Sequence, residues 1–252
     1  MGAKGGLHIL TNGLTYYIDA ANPKSYTSGS STTFNMLDTT QTGSFTNDVG
    51  ATDSGGESSF VFGLDGIDDV IKLNSRFAEA GQTDITVSIW FKTAGDGTSG
   101  YNGLMNEIAT TNPFRSRIIV TNLGTAVYYT INSTQRIATL SSTIPDDTWT
   151  NLTLTKDSVV GSKLYINSIY EFGHSSDTGT IAGQSSSTVF PGAVLGIGAE
   201  TVYYMNGEIS NVIVYNRALT SGEVIKNYNA LKKGLYDKKR TTYSNRWIIF
   251  LY

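Results

Sequence analysis

The sequence predicts an all-β protein, a two-sheet antiparallel sandwich with one short helix near its C-terminal end. Three observations predict it. Apolar and polar residues alternate with period 2 in one run after another. Turn residues separate these runs at short intervals, with no helical periodicity between them. The only helical stripe follows a capping motif at Thr220.

The alternation is legible strand by strand. Phe60, Phe62 and Leu64 point one way in S-F-V-F-G-L. In I-T-V-S-I-W-F-K, Ile85, Val87, Ile89 and Phe91 take one face and Thr86, Ser88, Trp90 and Lys92 the other. Leu152 and Leu154 alternate with threonines in N-L-T-L-T-K, and Leu164 and Ile166 share a side of K-L-Y-I-N. Ile209, Asn211, Ile213 and Tyr215 alternate with Ser210, Val212 and Val214. Shorter strands are expected at Leu14–Asp19, Arg117–Thr121, Ala126–Ile131, Arg136–Leu140 and Val194–Gly198. The expected turns are Asp65-Gly66, Gly95-Asp96-Gly97, Asn102-Gly103, Pro145-Asp146-Asp147 and Asn206-Gly207.

T-S-G-E, starting at Thr220, fits the S/T-x-x-E capping box: the Thr220 hydroxyl accepts a backbone N–H and Glu223 reaches back. Val224, Ile225, Tyr228 and Leu231 then form an apolar stripe, Lys232 and Lys233 suit the negative helix end, and Gly234 is placed to terminate about three turns. Residues 25–58, rich in Ser, Thr, Gly and Asn, read as long loops. The chain so divides into an N-terminal segment (1–11), a sandwich (12–233) and a tail (234–252). The tail ends in R-W-I-I-F-L-Y. It reads as an extra strand covering a sheet edge or as an anchor in a partner, through Trp247, Ile248, Phe250 and Tyr252.

Composition bounds the rest. With 252 residues, 39% of them hydrophobic, the chain suits one well-cored domain. A net charge of −3 and only 15% charged residues leave no basic field for a phosphate backbone, which argues against nucleic acid as a partner. The absence of cysteine excludes disulfides and thiolate metal sites. No run reaches about 18 apolar residues, so no membrane-spanning helix is expected. The start M-G-A-K-G-G-L-H-I-L has no long apolar leader segment; a role outside a cell then implies release by lysis or within a particle.

Taken in order, D-G-x-D-D-x-I, I-T-V-S-I-W-F-K, W-T-N-L-T-L-T-K, L-Y-I-N and N-G-E-I-S-N-V-I-V-Y-N-R-A-L-T-x-x-E-V-x-x-N-Y form a recognisable series. The series resembles the concanavalin A-like lectin/glucanase superfamily, and within it the laminin G-like jelly-roll group, over roughly residues 12–232. The opening N-G-L-T-Y-Y-I-D-A-A-N-P-K-S-Y and the ending N-R-A-L-T-S-G-E-V-I-K-N-Y-N-A-L-K resemble such domains in virion proteins of tailed phages, particularly marine ones. The resemblance implies a concanavalin A-like jelly-roll sandwich in a virion, as a decoration protein, a neck or tail appendage, or a fibre component. It implies a multicopy or homo-oligomeric chain touching other virion proteins and host-surface glycans, without membrane insertion. The same fold hosts soluble carbohydrate-binding lectins and glycoside hydrolases. In one departure, Asn167-Ser168 stands after L-Y-I where family members often carry Asn-Gly; serine tolerates positive φ less well, so a different turn is expected.

Glycoside hydrolysis needs two carboxylates across one cleft, about 5–5.5 Å or 6.5–9.5 Å apart. The glucanase run E-x-D-x-x-E is absent; Glu107, Glu171, Glu200 and Glu208 are isolated in sequence, Glu208 being expected in a solvated turn. His8 and His174, the only histidines, lack a nucleophile motif and are expected in loops, so the chain reads as non-enzymatic. Asp65, Asp68 and Asp69 are the candidate metal ligands, for calcium, although the stronger reading is that Asp65-Gly66 makes a turn whose backbone N–H groups the Asp68 and Asp69 carboxylates cap. Sugar binding needs aromatic faces beside neutral hydrogen-bonding groups. Tyr101, Tyr128 and Tyr203, in Tyr101-Asn102, Tyr128-Tyr129 and Tyr203-Tyr204, are the candidate ligand-binding residues, one member of each pair facing outward.

Overall fold

The computed structural model describes residues 8–236 apart from 48, 54–59, 79–80, 110–115, 122, 132–133, 182–186, 192 and 196–201. The strands build two opposed sheets. The first contains β1 (Leu14–Asp19), β4 (Gly50–Asp53), β5 (Phe60–Asp65), β7 (Ile85–Thr93), β12 (Thr150–Asp157), β13 (Gly161–Ile166), β14 (Ile169–His174) and β18 (Asn206–Tyr215). Their order is β14-β13-β12-β7-β18-β5-β4, with β1 also pairing β18. The second contains β2 (Thr32–Asn35), β3 (Asp38–Thr46), β6 (Val70–Leu73), β8 (Tyr101–Ala109), β9 (Ser116–Thr121), β10 (Ala126–Ile131), β11 (Thr134–Thr139) and β15 (Ser187–Pro191), in the order β11-β10-β9-β8-β15-β6-β3-β2. A small hairpin of β16 (Ala193–Leu195) and β17 (Val202–Tyr204) lies against β8. The pairings are antiparallel, as the jelly-roll expectation requires.

The inward-facing alternating residues fill the space between the sheets. Ile18, Phe62, Ile89, Phe91, Leu152, Leu164 and Val212 of the first sheet meet Ile71, Leu73, Leu104, Ile118, Val127 and Tyr129 of the second. Each large apolar side chain so buried contributes about 1.5–3 kcal/mol relative to exposure.

Several local expectations are corrected. Residues 25–58 contain β2, β3 and β4 and are not long loops. Asn102-Gly103 and Asn206-Gly207 begin strands β8 and β18 and are not turns. Ile209 and Asn211 do not share a face, because a β-bulge between them shifts the register against β7. Ile209, Val212 and Val214 enter the core; Ile213 and Tyr215 join the outer cluster. Asn167 and Ser168 both take positive φ (51° and 67°), as in the type I′ hairpin that Asn-Gly would form. The serine therefore occupies the left-handed conformation despite its side chain.

Helix α1 (Ser221–Tyr236) is longer than expected and carries Gly234 inside it. It packs on the outer face of the first sheet, where Val224 and Leu231 join Tyr165, Ile213, Tyr215 and Leu219. Tyr228 stacks on the fully buried Trp90 at 5.3 Å between ring centroids. Ile225, expected in the apolar stripe, is 46% exposed, while Asn227 faces inward and bonds the Tyr215 hydroxyl and the Leu10 amide. Among the described residues no helix is long and apolar enough to cross a membrane.

The capping box forms: the Glu223 carboxylate accepts from the Thr220 amide at 2.9 Å, and the Thr220 hydroxyl accepts from the Glu223 amide at 3.3 Å. Arg217 adds a two-pronged grip on Glu223, at 2.9 and 2.7 Å, and donates to the Asn12 carbonyl. These Arg217 bonds, with the Thr220 amide, hold the Glu223 carboxyl at about 2, below its ordinary 4.5. A depressed carboxyl stabilises the fold above its unfolded value and ceases to do so as pH falls through its folded value. The pair is partly solvated, so its contribution is about 1 kcal/mol. Glu223→Gln is expected to cost that much at neutral pH, and the gap to wild type should close between pH 4.5 and 2 in urea melts. A gap independent of pH would show that the ion pair is not its source.

A buried polar cluster ties the two sheets together along the side where β11 and β14 lie. Asp177 accepts from Arg136 of β11 through Nε at 2.8 Å and a terminal nitrogen at 2.5 Å. Its other oxygen accepts from the Ser162 hydroxyl of β13, which meets the Tyr129 hydroxyl of β10 at 2.9 Å. Burial pushes the Tyr129 hydroxyl up to about 12. Nearby, the fully buried Lys156 donates to the Thr83 and Gly179 carbonyls at 2.6 Å each.

Candidate functional site

Tyr101, Tyr128 and Tyr203, chosen from three distant parts of the sequence, come together. Val127 and Tyr129 of β10 enter the core, so Tyr128 between them points out of the second sheet. Asn102 of β8 is paired with the core residue Val120 and is 1% exposed, so its neighbour Tyr101 points outward as well. Tyr203 reaches the same place from β17. The Tyr101 ring stands edge-on to both others, 5.8 Å from Tyr128 and 5.0 Å from Tyr203. All three are half-buried. Such edge-to-face pairs hold rings in fixed orientations, each adding about 0.5–1.5 kcal/mol beyond burial.

The next cross-strand row on this face is polar. Arg117 of β9, 8% exposed, donates through Nε to the Thr130 hydroxyl at 3.0 Å and through a terminal nitrogen to the Gln135 amide oxygen. Burial lowers the Arg117 guanidinium from its ordinary range, and the nearby Tyr203 acts in the opposite sense. Asn102 braces the end of β8 from beneath, donating to the Gly95 carbonyl and accepting from the Asn206 amide. A fixed aromatic cluster beside a row of amide, hydroxyl and guanidinium groups can stack on C–H faces while meeting hydroxyls. Arg117 and its partners were not singled out in the sequence; the alternation of S-R-I-I-V-T, with a charged residue beside the core residue Ile118, is the signal that could have found them.

Asp65, Asp68 and Asp69 also come together, with one oxygen of each within 4.8 Å of the others. Asp65 accepts from the Ile67 and Asp68 amides and Asp69 from the Asp65 amide, as expected of turn-forming carboxylates. Calcium takes six to eight oxygens. The three carboxylates could supply part of such a set, the remainder having to come from carbonyls and solvent. Trp247, Ile248, Phe250 and Tyr252 lie outside the described residues, as does Glu200. His174 ends β14 and is not in a loop; its Nδ1 is 3.8 Å from Asp177. Ser162 bonds Asp177 directly, with no histidine between them, so these residues do not form a nucleophilic relay. Glu208 is in strand β18, 3.0 Å from Lys92, and not in a solvated turn.

Two opposed antiparallel sheets with a helix on one outer face define a lectin-like sandwich. The chain belongs to the concanavalin A-like lectin/glucanases superfamily, whose family model matches residues 64–225. No curated protein matches the chain. Among solved structures, domain 4 of AbnA, an extracellular arabinanase of Geobacillus stearothermophilus in complex with arabinotriose, is 19% identical with a TM-score of 0.59, covering 85% of this chain and 98% of that one. A botulinum neurotoxin type C structure is 12% identical with a TM-score of 0.63, over 87% of this chain and 51% of the other. A mutant Trypanosoma rangeli sialidase with trans-sialidase activity is 12% identical with a TM-score of 0.58, over 87% and 33%. At these identities the likeness is one of fold.

Proposed function

We propose that the chain is a non-catalytic adhesion module of a virus particle, present in many copies and holding host-surface glycans weakly on its tyrosine face. The observation that carries the glycan part is the convergence of Tyr101, Tyr128 and Tyr203 on one outer face, beside Arg117, Thr130 and Gln135. The fold likeness supports it: the arabinanase domain holds arabinotriose, and cell entry of the neurotoxin depends on two ganglioside molecules. The virion part is supported by the resemblance of the opening and closing motifs to tailed-phage proteins. Many copies on one particle turn poor single-site affinity into useful avidity.

The test is a glycan array with the whole chain, followed by titration of the best sugar against single variants. Tyr101→Ala and Tyr203→Ala should each weaken binding about tenfold, ~1.4 kcal/mol per ring, measured well below each variant's melting temperature because the lost edge-to-face contacts also lower stability. Product analysis of the same sugar should show no cleavage, and protein mass spectrometry of purified particles should find the chain. Binding indifferent to both tyrosines, or steady sugar release, would sink the proposal.

A further inference from the structure

We infer that Ile137 extends the tyrosine face into a small apolar subsite, and that the sugars taken there carry a methyl group, as an N-acetyl or 6-deoxy substituent. The inference rests on the reading of this face as glycan-binding. Register sets Tyr128 of β10 opposite Ile119 of β9 and opposite Ile137 of β11. Residues directly opposite one another share a face and lie about 4.5–5.5 Å apart at Cβ.

The row is asymmetric. Ile119 is 3% exposed and closed off, Tyr128 is half-buried, and Ile137 is 52% exposed. The isoleucine adds nothing to the interior, because its neighbour Ala138 takes the core side. Gln135 and Thr139, two residues away on the same face of β11, are both exposed and polar. The open isoleucine is thus a single apolar spot, walled by an aromatic ring on one side and flanked along its strand by hydrogen-bonding groups.

That pattern fits a mixed ligand better than a uniformly apolar one. A sugar bearing only hydroxyls can offer Ile137 no more than the edge of a C–H face, whose neighbouring hydroxyls then lose water without gaining a partner. A methyl substituent would instead remove both apolar surfaces from water, while the sugar's hydroxyls meet Gln135 and Thr139. One buried methyl-sized group favours the substituted sugar by about fourfold, the equivalent of ~0.8 kcal/mol.

The test compares free glucose with free N-acetylglucosamine and free L-galactose with free L-fucose, each titrated against the whole chain by two-dimensional amide NMR. The methyl-bearing member of at least one pair should bind about fourfold tighter, and Ile137→Thr, a β-branched change on an exposed strand position, should reduce that ratio to near one. Equal binding within both pairs, or a ratio unmoved by Ile137→Thr, overturns the inference and leaves the glycan reading standing. No tyrosine-dependent binding of any of the four overturns both. Concentration-dependent sedimentation that Ile137→Thr abolishes, with no sugar preference, overturns the inference in favour of contact between copies of the chain.

Discussion

Asp177→Ala is expected to lower the unfolding free energy by about 3 kcal/mol, one of the two largest effects of a single side-chain change predicted for this chain. Asp177 has only 3% of its side chain exposed and receives three hydrogen bonds, two from Arg136 and one from Ser162. Removing it leaves the guanidinium without its carboxylate and the buried Ser162 hydroxyl without its carboxylate acceptor, while Tyr129 keeps its bond to Ser162. Arg136→Ala should cost less, because Asp177 then keeps Ser162 and solvent can approach from the arginine's side, 19% exposed. Urea melts of the two variants check the order. A loss below 1 kcal/mol for Asp177→Ala would mean that water reaches the carboxylate and that the two sheets are joined mainly by their apolar residues.

Gly207→Ala is expected to cost about 4 kcal/mol or to prevent folding. Gly207 has a φ of 149°, and a Cβ there would stand 2.1 Å from the Lys92 carbonyl oxygen and 2.9 Å from the Thr93 Cα. Both are backbone atoms of β7, whose position is fixed by pairing with β18 and β12 on its two sides, so neither can yield cheaply. Gly29→Ala is the control: its φ is 80°, but nothing lies within 4 Å of the added Cβ, and only conformational strain of about 1 kcal/mol applies. Comparable losses in the two variants, by thermal melting and soluble yield, would show that strain rather than collision governs Gly207.

The parts of this structure legible in the sequence are those in which one face is fully buried. I-T-V-S-I-W-F-K and N-L-T-L-T-K lie at the centre of the first sheet, where burial enforces alternation, and both were readable. β2 and β3 lie at the edge of the second sheet and are mostly threonine, serine and asparagine, so their alternation is faint and they resembled loops. The bulge after Ile209 left no trace, because Ile, Ser, Asn and Val around it suit either face once a helix covers the outer one. The helix start was readable through Thr220 and Glu223, but its length was not, since Gly234 carries no sign that the helix continues through it. The three tyrosines were individually legible as outward or loop-adjacent rings. Their meeting was not, because it depends on β16 and β17 lying against β8, a contact between distant segments.

The helix and the tyrosine cluster occupy opposite outer faces. Leu10, Tyr215 and Asn227 are hydrogen-bonded on the helix side, so the first described residues are held against the middle of the helix on the first sheet. Tyr101, Tyr128 and Tyr203 look out from the second. The sandwich therefore has two unlike outer faces: one is closed by the helix and the segment around Leu10, and the other presents aromatic rings.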